Sequence, residues 1–382
     1  MAFTIREYDL RKTFQTERKL LYFAGFYPRK SSRLSLYFLG RVANVFLCVT
    51  QIISCVVQMI IDRNNLEKFS ETLQYFITLS TYSCKLTNFA FYKDRLLKIE
   101  DFLTLPIFYG YSQDQLKLLK QKIAACNTIA TIFRFLCFVA VLFYAFPPFL
   151  DHQKSKNLPI TLWYPYNVSN YYYFTFVYQM TGIANTAYAN STIDVLCWML
   201  ISVASGQCDI LKENLKNIDY ELEDAEKAKE NFKKCAQHHK AIIKLVSEIE
   251  KLFSKGIFLQ FFASVVVICF IGFMMIIVPA MSSQFVFLVL YFLCMMWQIA
   301  MYCWYGHDIM TTSHTIGESF YVSNWYESDL SVRKSVVIFL EKVKKPLTVT
   351  AGGFVTLSLT TLTSILRSSY SYFAVLQRLY NE

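Results

Sequence analysis

"VANVFLCVTQIISCVVQMII", residues 42–61, runs for twenty residues without a charge. At 1.5 Å per residue it makes a helix about 30 Å long, the thickness of a bilayer's hydrocarbon core. If this run crosses a membrane, the rest of the chain has to be read as membrane topology. Six further apolar runs follow: Phe69–Tyr92, Ile123–Leu150, Tyr171–Cys208, Gly256–Ala280, Phe285–Gly306 and Leu347–Tyr380. The fourth is too long for one crossing, so its far end is expected to leave the bilayer.

Composition agrees. Of 382 residues, 54% are hydrophobic and 17% charged, with a mean hydropathy of +0.31. Soluble domains carry about 25% charge. The net charge of +10 does not point to nucleic acid, because the basic residues sit between the apolar runs. Nine Lys or Arg lie in 1–41, six in 93–122, ten in 207–255 and five in 307–346. Arg63, Lys154, Lys156, Arg367 and Arg378 fall on the other side, and Lys68, Lys85 and Arg134 complete the 38. Basic connections stay cytosolic, so the expected fold is an all-α membrane protein of seven spans, N-terminus cytosolic and C-terminus extracellular, with cytosolic helical extensions of spans four to seven.

The expected divisions are a cytosolic segment 1–41, spans one to four over 42–206, and a cytosolic extension of spans four and five over 207–255. Spans five and six occupy 256–306, a cytosolic anchor loop 307–346, and the last span with a short tail 347–382. The charged first residues lack an apolar signal-peptide core, so no cleaved leader is expected. Eleven cysteines without a C-x-x-C give no reason to expect disulfides, metal or cofactor. The sequon at Asn167 lies in the expected external loop 151–170 and is the candidate glycosylation site.

Lys85, Arg134 and Asp194 are charges inside spans. Snorkelling to the inner interface is the expected solution, with an Asp194 pairing to Arg134 or Lys85 as the alternative. In 209–256, apolar residues repeat at helical spacing, so spans four and five are expected to continue below the membrane and fold back near 223–231. His238 and His239 are expected on a solvated face.

The last run holds eleven Ser or Thr between Thr348 and Tyr372. On a helical projection centred on Ser364, the residues Gly353, Leu357, Thr360, Ser368, Ser371 and Val375 fall within about 40° of it. Small and hydroxyl side chains in lipid gather at helix contacts or along wet cavities, and the projection leaves both readings open. Val375 and Leu379 lie one turn apart near the outer end, where apolar rings close a water path by dewetting.

The chain's last third resembles the insect odorant receptor family. The resemblance rests on Y-x-S-x-W-Y at Tyr321–Tyr326, KPL-x-x-x-AG at Lys345–Gly352, F-x-x-LSL at Phe354–Leu359 and SIL-x-x-SYSYFAVL at Ser364–Leu376. It implies a ligand-gated, nonselective cation channel of olfactory sensory neurons, four subunits around one pore lined by the last helix. It also implies a partner, a shared co-receptor with a long insertion between spans four and five. Only about fifty residues stand there in this chain, so an odorant-tuned subunit is expected. The pore and gate carry over onto Ser364, Ser368, Ser371, Tyr372, Val375, Leu376 and Leu379.

The resemblance also places a volatile odorant in the outer half of the bundle. The residues available there are Phe69, Thr72, Leu73, Phe76 and Leu79 from span two and Val139, Phe143 and Phe146 from span three. Span four offers Phe174, Val177, Tyr178 and Thr181; span six offers Phe287 and Tyr291. None is charged, so small neutral volatiles are expected and amines and acids are expected to be poor ligands. A gustatory-type channel is the alternative reading. A G-protein-coupled receptor would have an external N-terminus, a transporter more repeats and Gly/Pro breaks, and an enzyme a nucleophile–base pair or metal cluster.

Overall fold

The computed structural model describes residues 6–27, 34–108, 110–145, 158–220, 225–280 and 282–381. Its helices are α1 (Gln15–Phe23), α2 (Leu34–Ile61), α3 (Leu66–Phe91), α4 (Lys93–Leu103), α5 (Gln113–Ala145), α6 (Tyr172–Lys216), α7 (Ala225–Ile277), α8 (Ser283–His314), α9 (Leu330–Val343) and α10 (Leu359–Asn381). Two antiparallel ribbons complete it: β1 (Arg6–Glu7) with β2 (Gly110–Tyr111), and β3 (Thr350–Ala351) with β4 (Val355–Thr356).

Among the described residues, five helices, α2, α5, α6, α7 and α8, are long and apolar enough to cross a membrane. The sequence of α3 is diluted by Ser, Thr, Gln, Glu71 and Lys85, and that of α10 by hydroxyls. Many of the boundaries extend past the hydropathy runs. Asn65 starts α3 by accepting from the Lys68 N–H (3.2 Å), and Ser282 starts α8 by accepting from the Phe285 N–H (3.1 Å). Such caps satisfy donors that a helix start leaves open.

α6 has 45 residues and α7 has 53, about 68 and 80 Å at 1.5 Å per residue, so each outruns a core of about 30 Å. The apolar end of α7 begins near Gly256. α6 is the central pillar, with Trp198 fully buried between Phe133 and Tyr302 (ring centroids 5.2 and 5.8 Å). α2 lies at the periphery and exposes Phe38, Leu39, Val42, Val45, Phe46, Val49, Ile53 and Ile60. That stripe suits lipid, which takes apolar surface at no cost.

Four sequence expectations are corrected. First, the last span begins at Leu359 rather than Leu347. Gly352 and Gly353 both have positive φ (67° and 87°), which reverses the chain into the β3–β4 ribbon. The ribbon is bolted to α7: the Gly352 N–H donates to Ser254 O (3.0 Å) and the Thr350 N–H to Glu250 Oε1 (3.0 Å). Gly353, Val355, Thr356 and Leu357 are therefore not on the last helix.

Second, the fold-back expected near 223–231 is over by Ala225, whereas the stretch 307–346 carries the end of α8, which runs on to His314, and α9. The fold-back between α6 and α7 falls partly on 221–224, outside the described residues.

Third, the intramembrane charges do not snorkel. Lys85 and Asp194 are buried and paired (2.6 Å). Arg134 donates to Glu17 of α1, itself buried. Long-range partners are less costly than desolvating a lone charge.

Fourth, His238 and His239 are buried, not solvated. His238 Nε2 lies 3.0 Å from Gln207 Oε1 and its ring meets Phe108, while His239 meets Phe339 of α9. Burial holds both imidazoles down to about 4, with the neighbouring His239 adding to the effect at His238 and Lys342 at His239. A histidine held below its ordinary value of 6.5 stabilises the fold fully above that pH and loses the contribution as pH falls toward 4. The purified protein's melting temperature is expected to fall between pH 6.5 and 4. In the His238→Gln, His239→Phe double variant the fall is expected to be shallower; parallel curves would contradict the assignment.

Candidate ligand cavity and pore helix

One end of the bundle holds a cavity of about 410 Å³, within the range that takes small molecules. Five helices and one loop wall it. α3 contributes Glu71, Gln74, Tyr75 and Thr78; α5 contributes Phe133, Cys137, Ala140, Val141, Phe143 and Tyr144. The loop before α6 adds Leu158, Pro159 and Ile160, and α6 adds Ile183, Thr186, Ala187, Asn190 and Ser191. α7 adds Met274, and α8 adds Ser283, Gln284, Phe287, Leu288, Tyr291, Cys294, Met295 and Gln298.

Of the sequence candidates, Phe143, Phe287 and Tyr291 line this cavity. Phe69, Thr72, Leu73, Phe76, Leu79, Val139, Phe174, Val177, Tyr178 and Thr181 do not, and Phe146 lies outside the described residues. Leu79 is buried in the main core and Phe76 packs on the cluster of Cys55, Ile160 and Leu162. The Thr72 hydroxyl donates to Lys68 O (3.1 Å). Phe174, Val177 and Thr181 are exposed on the outer face of α6, and Tyr178 bonds Thr50 of α2 (2.5 Å).

The physical reason is an inverted rule. In water, the large apolar stripe of a helix turns inward; in lipid it is free to turn out, and the polar stripe has to find protein. The signal that was missed is Glu71, Gln74, Tyr75 and Thr78, at helical spacing i, i+3, i+4, i+7 on α3. The wall is therefore not uncharged, which corrects the expectation that it is.

Beneath the cavity lies a polar network. Lys85 Nζ donates to Asp194 Oδ1 (2.6 Å) and to Asn190 Oδ1 (2.9 Å). Tyr302 OH donates to Asp194 Oδ1 (2.5 Å), and Gln298 Nε2 to Asp194 Oδ2. Gln260 of α7 donates to Gln298 Oε1 (2.8 Å). Asn190 and Gln298 also line the cavity, so its floor is wired to α3, α6, α7 and α8 together.

On α10, Ser364, Ser368, Ser371, Tyr372 and Val375 are exposed, whereas Ile365 and Ser369 on the opposite face are buried. Ser364 and Ser368 bond carbonyls one turn back (3.0 Å each). Leu376 packs against the core; the Leu379 side chain lies outside the described residues. α10 rests on α7 and α8. Asn167 is exposed, its Oδ1 accepting from the Ser169 N–H (3.0 Å).

A bundle of membrane-length helices with a ligand-sized chamber at one end defines a polytopic membrane receptor. The chain belongs to the 7tm odorant receptor family, whose model matches residues 65–370; its members are receptors, not enzymes. Odorant receptor Or1 of Anopheles gambiae is 24% identical over 355 residues, 84% of either chain. Odorant receptor 85d of Drosophila melanogaster is 26% identical over 230 residues, 60% of this chain and 56% of the relative's own length. The solved olfactory receptor OR5 from Machilis hrabei, in complex with eugenol, superposes with a TM-score of 0.86 at 16% identity, over 97% of this chain and 98% of that one. That likeness carries the seven-helix fold.

Proposed function

We propose that the chain is the odorant-tuned subunit of a ligand-gated, nonselective cation channel in the plasma membrane of olfactory sensory neurons, assembled with a co-receptor into a heterotetramer. The observation that carries this reading is the one-sided exposure of Ser364, Ser368, Ser371 and Val375 on α10. A membrane helix that buries one face and leaves a hydroxyl stripe bare wants water or sister helices along it. Four such stripes about an axis enclose a water path, and Val375 and Leu379 are the apolar ring that closes it.

The small volatile ligand sits in the cavity described above. Its contacts with Asn190 and Gln298 bias the Asp194 network, and Gln260 passes that bias to α7, on which α10 rests. Such a route works only if the ligand favours one arrangement of the network over another. The segments 1–41, 207–255 and 307–346 are cytosolic, and the helical parts of the latter two hold the subunits together. Asn167, exposed on the opposite side, is the glycan acceptor.

The test is electrophysiology of the chain expressed with a co-receptor while G-protein signalling is blocked. Odorant-evoked cation current is the expected result. A response that vanishes with the G-protein block would favour a G-protein-coupled receptor instead.

A further inference from the structure

Glu71 is the unusual member of the cavity wall. It is a carboxylate facing a chamber otherwise lined by rings, aliphatic side chains and neutral polar groups. Among the described residues, no hydrogen bond or ion pair engages it. The ionisable groups it feels are Glu67 and Asp62, both acidic, and one base, Lys68, whose side chain is exposed. Lys85, the base under the floor, is already committed to Asp194 at 2.6 Å. Removing a carboxylate from water without a partner is costly, so a cation supplied from outside would have something to gain there.

Two of the ring hydroxyls in the same wall as Glu71 are already engaged. Tyr75 OH donates to Gln51 Oε1 (2.7 Å), and Tyr291 OH is engaged with Thr78 Oγ1 (2.5 Å). Phe287 stacks on Tyr291 (centroids 5.8 Å, planes 17° apart) and meets Tyr144 at 4.1 Å. Tyr144 lies within electrostatic reach of Glu71. A carboxylate in a cavity lined also by aromatic rings is the chemistry that recognises an ammonium group, through a charge-assisted hydrogen bond and the attraction of a cation to a ring's negative face.

We infer that the cavity takes small, protonated amines, with Glu71 as counter-ion and Tyr144, Phe287 and Tyr291 as the aromatic wall for the rest of the molecule. Carboxylic acids are repelled by the same group. The inference rests on the cavity being the odorant site.

The experiment compares 2-phenylethylamine with 2-phenylethanol, which differ in the charged end and share a skeleton, on purified protein by melting temperature and on the expressed channel by current. The amine is expected to stabilise the wild type more than the alcohol does. In Glu71→Gln, which keeps shape and removes charge, amine affinity is expected to fall by about tenfold or more, the scale of one lost charge-assisted bond. Alcohol stabilisation persists in that variant and shows that it is folded. Stabilisation by the amine without any evoked current would sink the channel reading and leave the amine assignment standing. No amine stabilisation, or an equal loss for amine and alcohol in Glu71→Gln, would overturn the amine assignment whatever the current does.

Discussion

Replacing Asp194 by alanine is expected to leave little folded receptor at the cell surface. Asp194 is fully buried and accepts from Lys85, Tyr302 and Gln298. Its removal strands the Lys85 ammonium, 2% exposed, with Asn190 as its remaining acceptor. Breaking one side of a buried pair costs about 3–5 kcal/mol, a large share of the roughly 5–15 kcal/mol that holds a native fold. The double change Lys85→Met, Asp194→Leu removes both charges and is expected to recover much of that loss, since apolar replacements of a buried pair are often near neutral. Melting temperature of the purified variants and surface labelling of intact cells check this. A single Asp194→Ala variant that melts like the wild type would show that the pair contributes nothing. A double variant no better than the single would show that the hydrogen bonds of Gln298 and Tyr302, not the charge, are what matter.

The second large effect is on basal current. Replacing Val375 by serine puts a hydroxyl where the proposed ring must repel water. Dewetting closes a pore only while its narrowest lining is apolar. Current without odorant is expected to rise by about tenfold or more, equal to roughly 1.4 kcal/mol of bias toward the conducting state. Full opening by a ligand needs more, about 5.5 kcal/mol to move a population from 1% to 99%, so the variant should still respond. Serine at Ile365, buried on the opposite face, tests packing instead and should reduce surface expression without leak. Unchanged basal current from surface-expressed Val375→Ser would remove Val375 from the gate.

The parts legible in the sequence are those that local pattern decides. The uncharged run 42–61 is part of α2, and the apolar repeats in 209–256 lie on the long helices α6 and α7. The motifs of the last third pointed to the family whose model matches most of the chain. What stayed hidden depends on partners far away in the chain or on backbone geometry. Lys85 and Asp194 are 109 residues apart, and nothing local chooses their pairing over snorkelling or selects Lys85 over Arg134 as the partner. Gly352 and Gly353 turn the chain, but apolar neighbours on both sides carry hydropathy straight across them. Phe174 and Val177 read as pocket residues because they are large and apolar, yet lipid accepts them just as well. Glu71 stands near a span end, where a charge usually faces headgroups, and here it faces a chamber.

The central claim is that the exposed stripe of α10 borders the ion path, and cysteine accessibility tests it most directly. Single cysteines at Ser364, Ser368, Ser371, Ile365 and Ser369 would be expressed with the co-receptor and treated with a charged, membrane-impermeant thiol reagent during odorant application. The account predicts that evoked current is blocked at Ser364, Ser368 and Ser371 and untouched at Ile365 and Ser369. Equal block on both faces, or none on the hydroxyl face while surface expression and odorant response are intact, would contradict it.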